Sequence, residues 1–316
     1  MPNFAMTGVA GYVAPRHLRA IRDSGNRLFA AHDPHDSVGV LDQYFADVAF
    51  FQNYARFERH LAKSSHLSGD GSFDYLSVCS PNFLHDNHVR LALNLDAHAI
   101  CEKPLVINPW NLDALETLEE RSRGNVYTIL QLRVHPSLVA LRERLATRTE
   151  RSKVDLTYVT SRGPWYHYSW KGDEEKSGGL ATNIGIHFFD LLIWLFGGVQ
   201  MSEVQHRDGD KVAGFLELER ADVSWFLSID RDDLPFEHEP GGQTTYRSIT
   251  YDGEEIEFSG GFTDLHTKVY EETLAGNGFR IGDARASIEL AHQMANTELS
   301  QKAPPHPFLE TSRARA

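Results

Sequence analysis

Short apolar runs alternate with helix-length amphipathic segments through the first third of the chain. Apolar runs fall at Phe4–Ala10, Arg27–His32, Asp74–Cys79, Ala97–Cys101 and Val126–Leu132. Helical spacing falls at Pro15–Asp23, Phe57–Ala62, Leu84–Leu95 and Trp110–Arg121. Strands separated by helices predict βαβ units around a parallel sheet. The runs are apolar on both alternating faces, as in strands covered from both sides.

The pattern changes after a helix expected at Pro136–Ala146. Val154–Thr160, Gly214–Glu219 and Val223–Ile229 alternate with a period near two, and Tyr246–Tyr251 and Glu255–Phe258 flank Asp252-Gly253, a hairpin turn signal. These predict a largely antiparallel sheet with helices on one side. A glycine loop at Gly178-Gly179 precedes a helix over Ile184–Phe196. The expected architecture is α/β: a doubly wound Rossmann domain over 1–132, then an α/β domain with a large, mostly antiparallel open sheet over 133–316.

Charge narrows the partners. The 316 residues carry 31 Lys and Arg against 44 Asp and Glu, a formal net charge of −13. Such a surface disfavours nucleic acid and anionic membrane, so an anionic ligand must be held by local donors. The N-terminus has no basic, signal-like segment, and the apolar stretch Phe188–Val199 is too short to span a bilayer. Two cysteines, Cys79 and Cys101, each end an apolar run and are expected as buried thiols. The expectation is a cytoplasmic protein in a reducing compartment.

The first apolar run leads into Gly8-Val9-Ala10-Gly11-Tyr12-Val13. A dinucleotide loop needs a tight turn and close backbone approach to a pyrophosphate. Gly8, Ala10 and Val13 stand at its three fingerprint positions, with Gly11 inserted, so the match is degenerate. Asp33 follows Val13 by 20 residues and ends the second strand, where a carboxylate bonds the adenosine ribose hydroxyls. It also repels a 2′-phosphate, which favours NAD over NADP.

Ser80-Pro81-Asn82 and Glu102-Lys103-Pro104 lie just past two strand ends, the edge that faces ligand in a doubly wound sheet. Lys103 is the candidate to touch a reacting hydroxyl or the nicotinamide ribose, with Glu102 orienting its ammonium. In the second half, Asn183 and His187 stand four apart, on one face of a helix. An imidazole titrating near neutrality suits removal of a hydroxyl proton as hydride leaves. Other designs lack their residues. None of the 11 tyrosines has Lys four residues later, there is no Ser-centred nucleophile elbow, and two cysteines cannot supply a zinc dehydrogenase's ligands. No metal is expected.

Taken together, the glycine loop, Ser80-Pro81-Asn82, Glu102-Lys103-Pro104 and the loop leading to His187 resemble the glucose–fructose oxidoreductase/inositol dehydrogenase (Gfo/Idh/MocA) family. That family implies NAD(P)-dependent oxidation of a sugar hydroxyl and a homotetramer or homodimer built on the open sheet. Carried over by position, it implies NAD contacts from Tyr12, Ser80, Asn82, His85, Glu102, Gln131 and Trp170. Within the family, Gly11–His17, Gln131–Arg133, Thr160–Gly163, Trp165-Tyr166, Ser169–Asp173, Tyr246–Ser248 and Gly261–His266 are similar to the UDP-2-acetamido-2-deoxy-glucuronate 3-dehydrogenases. This resemblance implies oxidation at C3 of a UDP-sugar uronate in bacterial surface polysaccharide (O-antigen) synthesis. It also implies reoxidation of NADH by 2-oxoglutarate, as in some members.

Arg162, Lys171 and Arg247 are candidates to hold the substrate's phosphates and carboxylate. Tyr166 and Asn183 are candidates for the sugar. Asp264 and His266 either reach the sugar or cap a helix. The wider family carries Asp where Asn183 stands, so Asn183 orients by hydrogen bonds without adding charge. Two alternatives stay open on the residues alone: a dehydrogenase of another sugar or inositol, and a sugar-sensing relative without turnover.

Overall fold

The structure is a computed structural model that describes residues 1–67, 72–148, 150–236, 242–256 and 264–310. The chain divides into two compact units, Met1–Val134 with Thr263–Arg285, and His135–Phe262 with Ala286–Ala316. The sequence suggested one continuous division after residue 132. Instead the chain comes back, and 263–285 completes the first unit.

The first unit runs β1 (Asn3–Thr7), α1 (Ala14–Asp23), β2 (Arg27–His32), β3 (Ala49–Phe51), α2 (Tyr54–Ser64), β4 (Tyr75–Val78), α3 (His85–Asn94), β5 (His98–Cys101), α4 (Trp110–Glu119) and β6 (Val126–Thr128). Its sheet has the order β3-β2-β1-β4-β5-β6, with every pairing parallel. That is the doubly wound order whose strand ends form a ligand crevice beside the central switch point. Phe4, Ala5 and Met6 in β1 are fully buried, as a central strand covered on both faces requires. Pro15 sits in the first turn of α1, where its missing N–H costs nothing.

The second unit holds α5 (Pro136–Ala146), β7 (Ser152–Thr160), α6 (Trp165–Tyr168), α7 (Glu174–Ser177), α8 (Ile186–Phe196), β8 (Val199–Arg207), β9 (Lys211–Leu218), β10 (Ala221–Ser228), β11 (Thr245–Tyr251) and β12 (Glu254–Glu255). Its sheet has the order β12-β11-β7-β10-β9-β8. Among the described strands of this sheet only β7 and β10 pair in parallel. Asp252 and Gly253, at φ 50° and 85°, supply the two left-handed positions of the β11–β12 turn. The expected strand residues 257–258 lie outside the described residues, as do 261–263 of the motif ending at His266. Cys79 and Cys101 are buried free thiols.

The helical run Glu174–Phe196 is longer than the apolar stretch read from sequence. It spans 23 residues, and its most apolar 18-residue window has a mean hydropathy of 1.5, long and apolar enough to cross a bilayer. Its most apolar window is 78% buried inside the protein, as in a core helix. Phe189 meets the fully buried Trp225 of β10 edge-on, with ring centroids 5.3 Å apart.

The chain ends with α9 (Leu265–Leu274) and α10 (Ile281–Asn296). Val269 and Tyr270 of α9 pack into one core with Phe4, Met6, Leu18 and Ile21. Phe279 O accepts the N–H of Thr128 and so extends the edge at β6. These contacts explain why 263–285 belongs to the first unit.

Candidate active site

The loop after β1 has the geometry of a dinucleotide cradle. Gly8 sits at φ +77°, and a Cβ there would lie 2.4 Å from the Cys79 carbonyl oxygen. Only glycine fits this close approach of two strand ends. Gly11 N–H donates to Gly8 O at 3.0 Å, and α1 begins without a side-chain cap. In its first turn the N–H groups of Ala14 and Arg16 bond Gly11 O and Val13 O and Pro15 has none, so what this end offers an anion is the positive end of the helix dipole. Asp33 is buried at the end of β2. Its Oδ2 accepts the N–H of Ala10 and its Oδ1 that of His35, at 3.0 and 2.9 Å. The carboxylate thus fixes the loop. Tyr12 is 85% exposed, with the Arg16 guanidinium 5.6 Å from its ring centroid.

The loops after β4 and β5 are tied together by histidines of α3. His85 is buried between two carbonyls, Nε2 at 2.8 Å from Ser80 O and Nδ1 at 2.7 Å from Pro104 O. Burial lowers its pKa and the two carbonyls oppose the shift. Ser80 Oγ bonds His88 Nδ1 at 2.8 Å, and burial with neighbouring His85 and His32 takes His88 down to about 3. Asn82 is buried in the same loop. Gln131 follows β6, and its Oε1 is buried without a hydrogen-bond partner among the described residues. The cradle at Gly8, the uncapped helix end and this orphaned acceptor fit a nicotinamide dinucleotide.

Glu102 is placed differently from the sequence expectation. Its carboxylate turns inward, where Oε1 accepts from His17 Nε2 at 2.9 Å and from His266 Nε2 at 3.0 Å. Oε2 accepts the backbone N–H of Lys103 at 3.1 Å. Glu102 thus also holds the main chain of Lys103. The Lys103–Pro104 peptide is cis. Burial would raise the Glu102 pKa, but the two histidine bonds outweigh it and hold the carboxyl well below its usual range. Sequence reasoning flagged His17 only as part of a motif and offered His266 to the sugar or to a helix cap, and both side chains belong to this cluster. The three ligand atoms lie within 4.8 Å of one another, as a metal site would need. Yet ligands around a tetrahedral zinc at about 2.05 Å stand roughly 3.3 Å apart. The 2.9 and 3.0 Å separations are hydrogen bonds.

In the second unit, Asn183 lies in a π-helical turn, 181–185, directly before α8. The wider turn shifts the register assumed for a continuous α-helix, and such turns recur at functional sites. Asn183 Nδ2 donates to the hydroxyl of buried Tyr166 at 2.9 Å. Burial raises the Tyr166 pKa, against the opposing bond from Asn183 and the charge of Arg162. His187 is half-buried in the first turn of α8. The Lys171 ammonium lies 4.2 Å from the Trp170 ring centroid. Burial lowers its pKa, and the nearby Arg162 adds to the shift. Arg162 and Lys171 therefore form a cationic pair in one region. The Arg247 guanidinium packs over Tyr158 at 5.4 Å.

A Rossmann sheet with this cradle and lysine loop defines a nicotinamide-dependent oxidoreductase. Residues 2–129 match the profile of an oxidoreductase family with an NAD-binding Rossmann fold, and 152–233 match that family's C-terminal alpha/beta domain. The chain belongs to this Gfo/Idh/MocA oxidoreductase family. It is similar to the WlbA (WbpB) dehydrogenase from Thermus thermophilus in complex with NAD and UDP-GlcNAcA. The identity is 52% over 98% of this chain and 100% of that one, with a TM-score of 0.93. A second structure of that dehydrogenase, with NAD and alpha-ketoglutarate, is 53% identical over the same shares, with a TM-score of 0.92. The D-glucoside 3-dehydrogenase of Escherichia coli K12 is 25% identical over 44% of this chain and 40% of its own length. The curated relatives matched first align over about half of their own length, 49% in each of two cases.

Proposed function

We propose that this chain oxidises the C3 hydroxyl of UDP-2-acetamido-2-deoxy-glucuronate (UDP-GlcNAcA) to the 3-keto sugar with NAD. The observation that carries this reading is the near full-length similarity, at 52% identity, to a dehydrogenase crystallised with NAD and that sugar nucleotide. Bound NAD accepts the hydride from the carbinol carbon. Lys103 Nζ and the imidazole of His187 are assigned to the hydroxyl proton, which must leave as the carbonyl forms. Burial keeps Tyr166 an un-ionised phenol, and because its oxygen accepts from Asn183 its own hydrogen is left to donate to the sugar. Arg162, Lys171 and Arg247 supply the cations that a pyrophosphate and a carboxylate require on a protein of net charge −13.

Similarity to the complex with alpha-ketoglutarate supports a second half-reaction, in which 2-oxoglutarate takes the hydride back and leaves as a 2-hydroxy acid. The proposed setting is the bacterial cytoplasm, in the supply of surface-polysaccharide sugars, with a homotetramer as the working form. Incubating the protein with UDP-GlcNAcA, NAD and 2-oxoglutarate tests the reading. The expected products are the 3-keto sugar nucleotide and 2-hydroxyglutarate in equal amounts. Oxidation of a simple glucoside, with UDP-GlcNAcA untouched, would replace it with the chemistry of the Escherichia coli relative.

A further inference from the structure

Five buried side chains form one line beneath Lys103. Ser77 Oγ lies 2.7 Å from the Tyr270 hydroxyl, and that hydroxyl lies 2.8 Å from His17 Nδ1. His17 Nε2 reaches Glu102 Oε1 at 2.9 Å, and His266 Nε2 reaches the same oxygen at 3.0 Å. His17, Ser77 and Tyr270 are 0% exposed, His266 6% and Glu102 7%. The proton transfer assigned above uses none of the four groups around Glu102.

A carboxylate in such surroundings would normally take up a proton. Two N–H donors on Oε1 keep Glu102 ionised instead. Burial lowers the His17 pKa against the pull of Glu102, so His17 is a neutral imidazole with one proton to give. With Nε2–H on Glu102, His17 Nδ1 must accept, and Tyr270 O–H is its donor. Ser77 O–H then donates to the Tyr270 oxygen. One arrangement of protons satisfies every group and fixes the His17 tautomer. The free end of this arrangement is Glu102 Oε2, which accepts the Lys103 backbone N–H at 3.1 Å.

We propose that His17 and His266 are positioning residues for Lys103. They hold Glu102 as a buried anion, and its second oxygen clamps the main chain of the lysine turn. The role assigned to Lys103 rests on the dehydrogenase reading above. His17 comes from α1 and His266 from α9, so the returning segment 263–285 helps set the lysine. Misplacing a catalytic group by about 1 Å can cost roughly 100-fold in rate, which makes a main-chain clamp consequential.

Full-length His266→Leu, His266→Gln and Glu102→Gln proteins test the clamp by two readouts. Amide hydrogen exchange at Lys103 needs no turnover. Steady-state kinetics separates kcat from KM. In His266→Leu, Lys103 exchange should quicken about tenfold relative to the β5 amides. Its kcat should fall roughly 10- to 100-fold, with KM for NAD held within about threefold. Gln restores an N–H near the Nε2 position, so His266→Gln should return both readouts to within about threefold of the wild type. Glu102→Gln keeps the shape, loses the anion and should behave like His266→Leu, which decides the matter if His266→Leu does not fold. A lowered Tm with unchanged kcat and unchanged Lys103 exchange would reduce the cluster to a stabilising contact and overturn the proposal. If the wild-type protein oxidises no sugar nucleotide, the functional reading fails and the exchange data still decide the clamp.

Discussion

Asp33 carries two backbone N–H groups on its carboxylate, at the strand end proposed to meet an adenosine ribose. Replacing it therefore does two things. Asp33→Ala removes the repulsion against a 2′-phosphate, so the ratio of kcat/KM for NAD over NADP should drop by about tenfold. It also frees the Ala10 amide, so affinity for NAD should fall. An unchanged cofactor ratio would remove Asp33 from ribose recognition. Lys103 and His187 answer to a different measurement. If both serve the hydroxyl proton, Lys103→Ala and His187→Ala should each lower kcat by roughly 100- to 10,000-fold. NADH fluorescence titration should show cofactor binding preserved in both, and near-normal turnover in either would take that residue out of the mechanism. The positions of Lys103 and Asp33 just past strand ends, and of Gly8 in a tight turn, were legible because local pattern marks them. The partnership of His266 with Glu102 was not, because 164 residues separate them and only the fold joins them.

Helix α3 shows how an element can hold a loop through a buried neutral histidine, His88. His88 is 3% exposed, and burial lowers its pKa to about 3. A histidine that is depressed in the folded state contributes stability that is fully present above its unfolded pKa of about 6.5. That contribution drains away as pH falls from there toward 3. Between pH 6.5 and 5 the loss for His88 alone is about 2 kcal/mol. Urea unfolding at pH 7 and pH 5 should show it, and His88→Asn should be less acid-sensitive by about that amount. Equal acid sensitivity in the two proteins would contradict the assignment. Element boundaries followed the strength of the apolar pattern. β2 and α5 fall on the residues read from sequence, because apolar spacing and a helix-starting proline define them. β8 was missed because its buried residues include Glu203 and Gln205. Glu203 is satisfied by Ser300 and the amides of Lys302 and Ala303, not by apolar packing. α9 was missed for a related reason, since His266, Tyr270 and Thr273 stand among its buried positions.

At the scale of the molecule, the first unit is discontinuous in sequence. Its core is closed by Val269 and Tyr270, and its β6 edge is extended by Phe279. A fragment ending at residue 134 should therefore expose apolar surface, bind a hydrophobic dye and melt without a cooperative transition. Linking residues 263–285 back to it should restore cooperative melting and NADH binding. Cooperative unfolding of the shorter fragment would show that the returning segment is dispensable. Two domains and their order along the chain were readable from the change in periodicity near residue 133. The return was not, because nothing local in 263–285 identifies the core it fills. The central claim, hydride loss from C3 of a UDP-sugar uronate, is tested most directly with UDP-GlcNAcA carrying deuterium at C3. Mass spectrometry after one turnover should find the deuterium in the reduced nicotinamide, with a 3-keto product. Reduced nicotinamide without deuterium would place the oxidation at another carbon and contradict the account.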